Sequence, residues 1–455
     1  MSVNIPRSLK KRVVVVGGGF AGLELVNRFK KSDFQVVLID QNNFHQFLPL
    51  IYQVASAGLE PSSISFPFRK LFHNRKDFYF RMAEVRGVNA ERKILQTSIG
   101  KLHYDYLILA AGSVSNFFGN KSIEEKAIPM KTMQEALGLR STLLSNFERA
   151  LTCATQEERD ELLNIVIVGG GATGVEIAGA LSEMKRFVFP KDYPDMSPDL
   201  LNIHLVEASS RLLGGMSEKS SANAAKYLQK MGVHIMLNTR LEEYENNTAK
   251  LSDGSSISTR SLIWVSGVSA SPIKYIDGDH LGRGKRIIVN EYNAVKGLQD
   301  VFCIGDQCIQ MTDSKYPNGH PQLAQVAIQQ ARNLAENIKH KESNKGLTPF
   351  KYKDYGSMAT VGRKKAVADL GKCNVGGWTA WAMWLVVHLK SILGVRNKII
   401  VLLNWMWNYI TYDKSLRFIF YAKKTHAIKE REQADATTHL GENLFDPNLD
   451  ESKFQ

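Results

Sequence analysis

The chain has 455 residues, 44% of them apolar, enough for a large core and, at roughly 150 residues per domain, for about three units. Its 58 Lys and Arg against 45 Asp and Glu leave a formal charge of +13, which suits anionic cofactors, anionic membranes or nucleic acid and selects none of them. Four cysteines, none in a C-x-x-C pair, exclude a disulfide scaffold, a zinc ribbon and a thioredoxin-like redox pair; no metal site is expected, and no secretory signal, because the basic start lacks an apolar stretch.

The first predicted element is a strand. Val13 to Val16 are four β-branched residues in a row, the pattern of a strand buried on both faces in a parallel sheet. Gly17, Gly19 and Gly22 follow as G-x-G-x-x-G, with Phe20 and Ala21 inside the motif. The first glycine permits a tight turn, the second lets backbone approach a pyrophosphate, and the third lets the next helix pack close to the strand. The helix start adds amide donors and partial positive charge. A second strand, Gln35 to Asp40, ends in an acid 23 residues after Gly17, placed to accept from the adenosine ribose hydroxyls.

The same device recurs. Ile165 to Val168 form an apolar strand, and Gly169, Gly171 and Gly174 repeat the fingerprint. The next strand, NIHLVE, ends at Glu207, 38 residues after Gly169, and the excess length lies in the Pro- and Asp-rich stretch MKRFVFPKDYPDMSPDL, a surface excursion. A carboxylate at that strand end can hold a ribose 2′-hydroxyl and would repel a 2′-phosphate, so NADH is favoured over NADPH; a solvated strand cap is the plainer alternative. Glu176 lies in the first turns of the second glycine helix, where a helix-start acid and a contact to nicotinamide are both open readings. Two loops imply two dinucleotides, a retained flavin and a nicotinamide that comes and goes.

Two further strands end in small residues, Ala110, Ala111 and Gly112 in one and Gly267 in the other, where a bulky side chain would block a cofactor crevice. A third apolar strand runs into Gly305 and Asp306, an acid able to meet a ribityl hydroxyl. This arrangement resembles the two-dinucleotide-binding-domain flavoproteins. With NNFHQFLPLIYQVASAGLEP after Asp40, VGGGATGVE, and HPQLAQVAIQQARNLAENI after the Gly-Asp pair, residues 10–420 resemble type II NADH:quinone oxidoreductases.

That resemblance implies an α/β fold of two Rossmann-like dinucleotide-binding domains with a C-terminal amphipathic, membrane-associating region. The implied division is an FAD-binding domain from 8–125 plus 295–345, a helical linker 126–159, an NADH-binding domain 160–285, a membrane-surface and quinone-access region 346–430 and a mobile tail 431–455. It implies non-covalent FAD, NADH as substrate, a membrane quinone as acceptor and no proton pumping. Carried over residue by residue, Gly17, Gly19, Phe20, Ala21, Gly22 and Asp40 would hold FAD, with Phe47, Pro49 and Leu50 under the flavin. Ala111, Gly112, Gly267 and Gly305 would line the crevices, and Asp306 would touch the flavin. Gln325 and Gln329 would sit by the isoalloxazine and the quinone access, Glu176 by the nicotinamide, and Glu207 with Gly169, Gly171 and Gly174 on NADH. Read without the resemblance, Gln325 and Gln329 are i,i+4 neighbours on a helix whose other face is small (Ala324, Ala327, Ala331, Ala335), and a satisfied polar face is the plainer reading.

After Pro349 the character changes. Five of the six tryptophans lie between Trp378 and Trp407, and Val375 to Leu389 is a 15-residue stretch without Lys, Arg, Asp or Glu. That is shorter than the roughly 20 residues a bilayer needs. Tryptophans with flanking Lys and Arg favour two helices lying on or dipping into one leaflet with anionic lipid; a crossing hairpin, a homodimer interface and ordinary core packing are the alternatives. The expected location is peripheral or monotopic, on the cytoplasmic face of the inner membrane. Candidate proton relays are Glu176, a water chain or Lys390, the last by a loose resemblance in position to a lysine of that family. Rival functions are a sulfide:quinone reductase, which lacks an evident cysteine pair here, and a membrane-tethered redox sensor; nucleic acid is not expected as a partner.

Overall fold

The structure, a computed structural model, describes residues 2–274, 276, 278–411 and 416–419. The tail expected at 431–455 and the end of the C-terminal apolar run at Tyr412 lie outside the described residues.

Lys11–Val16 is the central strand of a five-stranded parallel sheet, and Val13 to Val15 are wholly buried, as a β-branched run covered on both faces demands. The strand order is Val301–Cys303, Tyr106–Leu109, Lys11–Val16, Phe34–Asp40, Phe78–Met82. The edge strand Val301–Cys303 comes from almost 200 residues further along and pairs in parallel with Leu107 to Leu109. The first glycine helix, Phe20–Arg28, lies against the long helix Ala324–Glu342, here called the glutamine helix.

A second five-stranded parallel sheet has the order Ile128–Pro129, Ser261–Trp264, Asn164–Val168, Asn202–Val206, Val233–Met236. Its edge strand Ile128–Pro129 falls in the stretch read as a helical linker. The rest of that stretch holds the helix Met133–Ala150, started by a reciprocal cap in which Thr132 Oγ1 accepts from the Glu135 amide and Glu135 accepts from the Thr132 amide. The second glycine helix, Ala172–Phe187, is covered by the first strand of an antiparallel sheet, Ser357–Gly362, Lys365–Leu370 and Cys373–Gly376. Strand and helix touch closely because residue 179 is glycine: a side chain there would strike the Val361 carbonyl.

Two helices end the described chain, Gly377–Ser391 and Val395–Thr411. Among the described residues no helix is long and apolar enough to cross a membrane. In the second helix Ile399, Leu402, Leu403, Met406, Trp407 and Ile410 are exposed at helical spacing while Val401 is buried; Trp384 of the first helix and Ile392 between the two are buried as well. Asn397 Nδ2 donates to the Ser62 and Ser63 carbonyls, both at 3.0 Å, and Asn408 Nδ2 to the Gly58 carbonyl at 3.1 Å, fixing this helix to the first 60 residues or so of the chain.

Candidate active site

Three strand ends of the first sheet meet around the first glycine loop. The Gly17 amide donates to Ile39 O at 2.8 Å, the Ala110 amide to Val16 O at 2.8 Å and the Ile304 amide to Leu109 O at 3.0 Å. Gly17 has φ +95°, and a side chain there would strike the Ala110 carbonyl; one at Gly22 would strike the carbonyl of Gly17 itself. By contrast a Gly19 Cβ would meet nothing within 4 Å beyond its own stretch of chain. This is an open cradle at a helix start, with the shape and donor chemistry that a dinucleotide pyrophosphate takes. The residues present therefore fit FAD.

Both sides of the loop are clamped. Asp40 accepts from the Gly18 amide at 2.6 Å and the Asn42 amide at 2.7 Å; burial pushes its pKa up and those two amides oppose the rise. His45, buried, donates from Nδ1 to Gly18 O at 2.8 Å, because a carbonyl can only accept. Phe20 opens the helix beside Ala21 and turns its ring edge to His45 and to Phe47, which is buried ahead of the turn Leu48–Leu50 that holds Pro49 and Leu50. At the neighbouring strand end the Ala111 amide donates to Gln307 Oε1 at 2.9 Å. Gly112 (φ +71°) is followed by Ser113, whose Oγ donates to Asp306 Oδ2 at 2.8 Å. Lys131 Nζ lies 2.7 Å from Ser113 Oγ and 4.0 Å from that carboxylate; burial lowers its pKa against the pull of Asp306 and Glu135.

The second crevice repeats the first. Gly169 has φ +117°, a side chain on Gly174 would strike the Gly169 carbonyl, and the space at Gly171 is open. Glu207 Oε2 accepts from the Gly170 amide at 2.5 Å, and Oε1 accepts from the Ser209 amide and hydroxyl at 2.7 and 2.6 Å. Oε1 thus uses both its lone pairs on Ser209, while Oε2 keeps one that a ribose hydroxyl can reach. Gly267 (φ +83°) lies under the Phe118 ring. Ser113–Ser115 pairs antiparallel with Val268–Ala270, so one short ladder joins the two crevices.

Glu176 is elsewhere on the second glycine helix, in the wall of a cavity of about 140 Å³. Tyr52, Gln53, Thr360, Trp381, Trp384, Trp405 and Tyr409 share that wall. Burial raises the Glu176 pKa to about 8, against a smaller opposing pull from the Thr360 backbone amide and the Trp384 indole. Trp384 is buried and stacks on His388 at 4.0 Å, and His388 in turn meets the edge of Phe47.

Gln325 and Gln329 do not line this cavity. Gln325 Nε2 donates to Gly356 O at 3.1 Å and its Oε1 accepts from the Tyr355 amide; Gln329 Nε2 donates to Lys353 O at 2.9 Å and its Oε1 accepts from the Lys353 amide. The residue of the glutamine helix that reaches the Gly-Asp turn is Gln330, buried, accepting from the Gly305 amide at 2.7 Å, and just ahead of that helix Gln322 Nε2 donates to Asp306 O at 3.0 Å. Helical spacing contained that signal, since Gln330 shares the face of Ala327 and Leu334. Lys390 is exposed, outside the cavity wall, and its carbonyl accepts from Lys398 Nζ. Tyr52, Thr360 and His388 were not legible as site residues, because their contacts join segments hundreds of residues apart.

The family described as "Pyridine nucleotide-disulphide oxidoreductase" matches residues 11–331, and the "NDH2 C-terminal domain" matches 355–411. The chain is 34% identical to "Type II NADH:quinone oxidoreductase NdhA" of Mycobacterium tuberculosis over 87% of this chain and 86% of that one. It is 30% identical to "Internal alternative NAD(P)H-ubiquinone oxidoreductase A1, mitochondrial" of Solanum tuberosum, over 87% and 86%. Its fold matches the NADH complex of NDH2 from Plasmodium falciparum with a TM-score of 0.82 at 19% identity, covering 90% of this chain and 100% of that one. It also matches the sulfide:quinone oxidoreductase of Aquifex aeolicus with a TM-score of 0.69 at 18% identity, over 88% and 95%. Two glycine crevices, the C-terminal region and the extent of these matches lead to one conclusion: the chain belongs to the type II NADH:quinone oxidoreductases, within the pyridine nucleotide-disulphide oxidoreductase family.

Proposed function

We propose that NADH docks at the second glycine loop, that FAD is held non-covalently at the first, and that a membrane quinone accepts two electrons at the cavity walled by Glu176. The observation that carries this reading is the doubled crevice with one cavity beside it, on the second glycine helix. Bound FAD supplies the redox chemistry between nicotinamide and quinone. The protein holds and orients. Loop amides and helix starts meet the two pyrophosphates, Asp40 and Glu207 present carboxylates to the two riboses, and Asp306 with Ser113 and Lys131 faces the first crevice. The matching division is an FAD unit from 8–125 plus 295–345 and an NADH unit from 160–285.

Quinone reduction also takes up two protons. With its pKa near 8, Glu176 holds a proton at neutral pH and can release it to a developing hydroquinone oxygen. The exposed apolar row from Ile399 to Ile410, flanked by Lys390 and Arg396, supports seating on an anionic leaflet, on the cytoplasmic face where a water-soluble dinucleotide has access. The sulfide reading has no cysteine in the cavity wall; Cys303 is buried in the edge strand of the first sheet and Cys308 in the short two-stranded sheet that follows it.

The test is absorbance. NADH should bleach the bound flavin, and a quinone should restore its colour. A protein purified without flavin would end this account, whereas bleaching without recovery on quinone would favour a redox sensor.

A further inference from the structure

Tyr52 stands on the short helix Ile51–Ala55, in the wall shared with Glu176. Its hydrogen bonding is fixed by a residue 353 positions away. Trp405 Nε1 donates to Gln53 Oε1 at 2.9 Å, and Gln53 Nε2 donates to the Tyr52 hydroxyl at 2.9 Å. An indole N–H can only donate, so the atom of Gln53 that meets it must be the carbonyl oxygen. The amide nitrogen then faces Tyr52, and an amide nitrogen can also only donate. The Tyr52 oxygen is therefore obliged to accept, and its own proton points elsewhere. Among the described residues that proton has no hydrogen-bond acceptor. Burial and the nearby Glu176 carboxylate both hold the phenol in its protonated form.

We infer that Tyr52 donates a hydrogen bond to a carbonyl oxygen of the quinone ring in this cavity, so that Trp405, on the outer helix, sets the direction of a donor on the inner wall. The inference rests on the cavity being the quinone site. Tyr52 keeps its proton throughout. It polarises the carbonyl that gains electron density, while the hydrogens of the hydroquinone come from the reduced cofactor and from an acid such as Glu176. Gln53 and Trp405 are positioning residues. Both stand in the same wall, and their part in this inference is to turn the phenol.

Three variants are compared with the wild-type holoenzyme in stopped flow, with NADH bleaching, reoxidation by a short-chain benzoquinone, and reoxidation by ferricyanide, which takes electrons without protons. Tyr52→Phe removes the donor. It should slow quinone reoxidation about tenfold, the worth of one hydrogen bond in a water-poor site, and leave bleaching and ferricyanide unchanged. Gln53→Glu keeps the shape but makes both atoms acceptors, so that Tyr52 turns its proton onto residue 53. It should slow quinone in the same way, which a purely structural role for Tyr52 would not produce. Ala180→Leu fills the cavity without touching the network and should raise the quinone KM.

If Tyr52→Phe reoxidises with quinone at the wild-type rate while Ala180→Leu does not, the donor role is overturned and the cavity reading stands. If neither variant alters quinone turnover, the quinone binds elsewhere and both readings fall. Equal losses with ferricyanide and quinone in Tyr52→Phe would overturn the donor role in favour of general damage to the site.

Discussion

Glu24 and Glu176 hold the same place in the two glycine motifs, seven residues after the first glycine of each, yet their surroundings are opposite. Glu24 Oε1 accepts from Arg28 Nε at 2.9 Å and from Arg332 Nε at 2.7 Å, at the seam between the first glycine helix and the glutamine helix. Glu176 forms no ion pair among the described residues; it faces a cavity and its pKa rises to about 8. The helices themselves are alike. What differs is the cover. The first is overlaid by a helix that brings an arginine, the second by the strand Ser357–Gly362, which brings the Thr360 amide and leaves room for the tryptophans. The motif sets where the acid stands, and an element far along the chain decides whether it is an ion-paired surface acid or a buried one with a raised pKa.

The two crevices can be separated most sharply at their third glycines. Gly22→Val and Gly174→Val each drive a side chain into a backbone carbonyl, a clash of at least about 3 kcal/mol where backbone cannot yield. Gly22→Val should purify without flavin. Gly174→Val should stay yellow but bleach with NADH about 100-fold more slowly. The reverse pattern would exchange the two assignments. The acids come next. Glu176 is protonated below about 8 and ionised above it, so its donating form disappears as pH rises through 8. Quinone turnover should therefore fall through that pH, and Glu176→Gln should lower the plateau and abolish the fall. Glu24→Gln, which removes exposed ion pairs worth at most about 1 kcal/mol, should leave the profile intact.

Smaller effects are expected where each strand-end carboxylate meets its loop. An amide at position 40 or 207 would turn an N–H toward a backbone N–H, costing about 1–3 kcal/mol. Asp40→Asn should release flavin on dilution, roughly tenfold more readily than the wild type. Glu207→Gln should weaken NADH by a similar factor and, having lost its charge, narrow the gap between NADH and NADPH rates. Unchanged cofactor preference would show that Glu207 is a loop clamp only.

Local order made the two crevices legible: valine run, glycine spacing, terminal acid. Each of those features acts within 40 residues, where periodicity and turn chemistry can be read directly. That these acids grip Gly18 and Gly170 was not legible, because an acid at a strand end reads the same whether it faces a ligand, water or the loop itself. The cavity was not legible at all. Its wall needs residue 52 against 405 and 176 against 360 and 384, contacts that no local pattern encodes. The tryptophan cluster favours an interfacial place by composition alone, whereas Trp384 is buried and Trp381 and Trp405 line the cavity, which follows only from how the last two helices fold back.

The glutamine helix gives the smallest effect and tests the cover that distinguishes the two halves. Gln325 and Gln329 each use both ends of the amide on the backbone of residues 353–356, in the manner of a neighbouring strand. Truncating either to Ala removes two hydrogen bonds from a segment that water can reach, so the loss should be about 1 kcal/mol of stability, read as a small drop in melting temperature. The quinone KM and kcat should not move, since both amides are tied to the backbone at this seam and neither lies in the cavity wall. A tenfold loss of quinone turnover at unchanged stability would mean that these amides leave the backbone during the reaction. The segment 353–356 would then be a moving part, and the cover over the first glycine helix would take part in the chemistry, as is proposed for the cavity under the strand over the second.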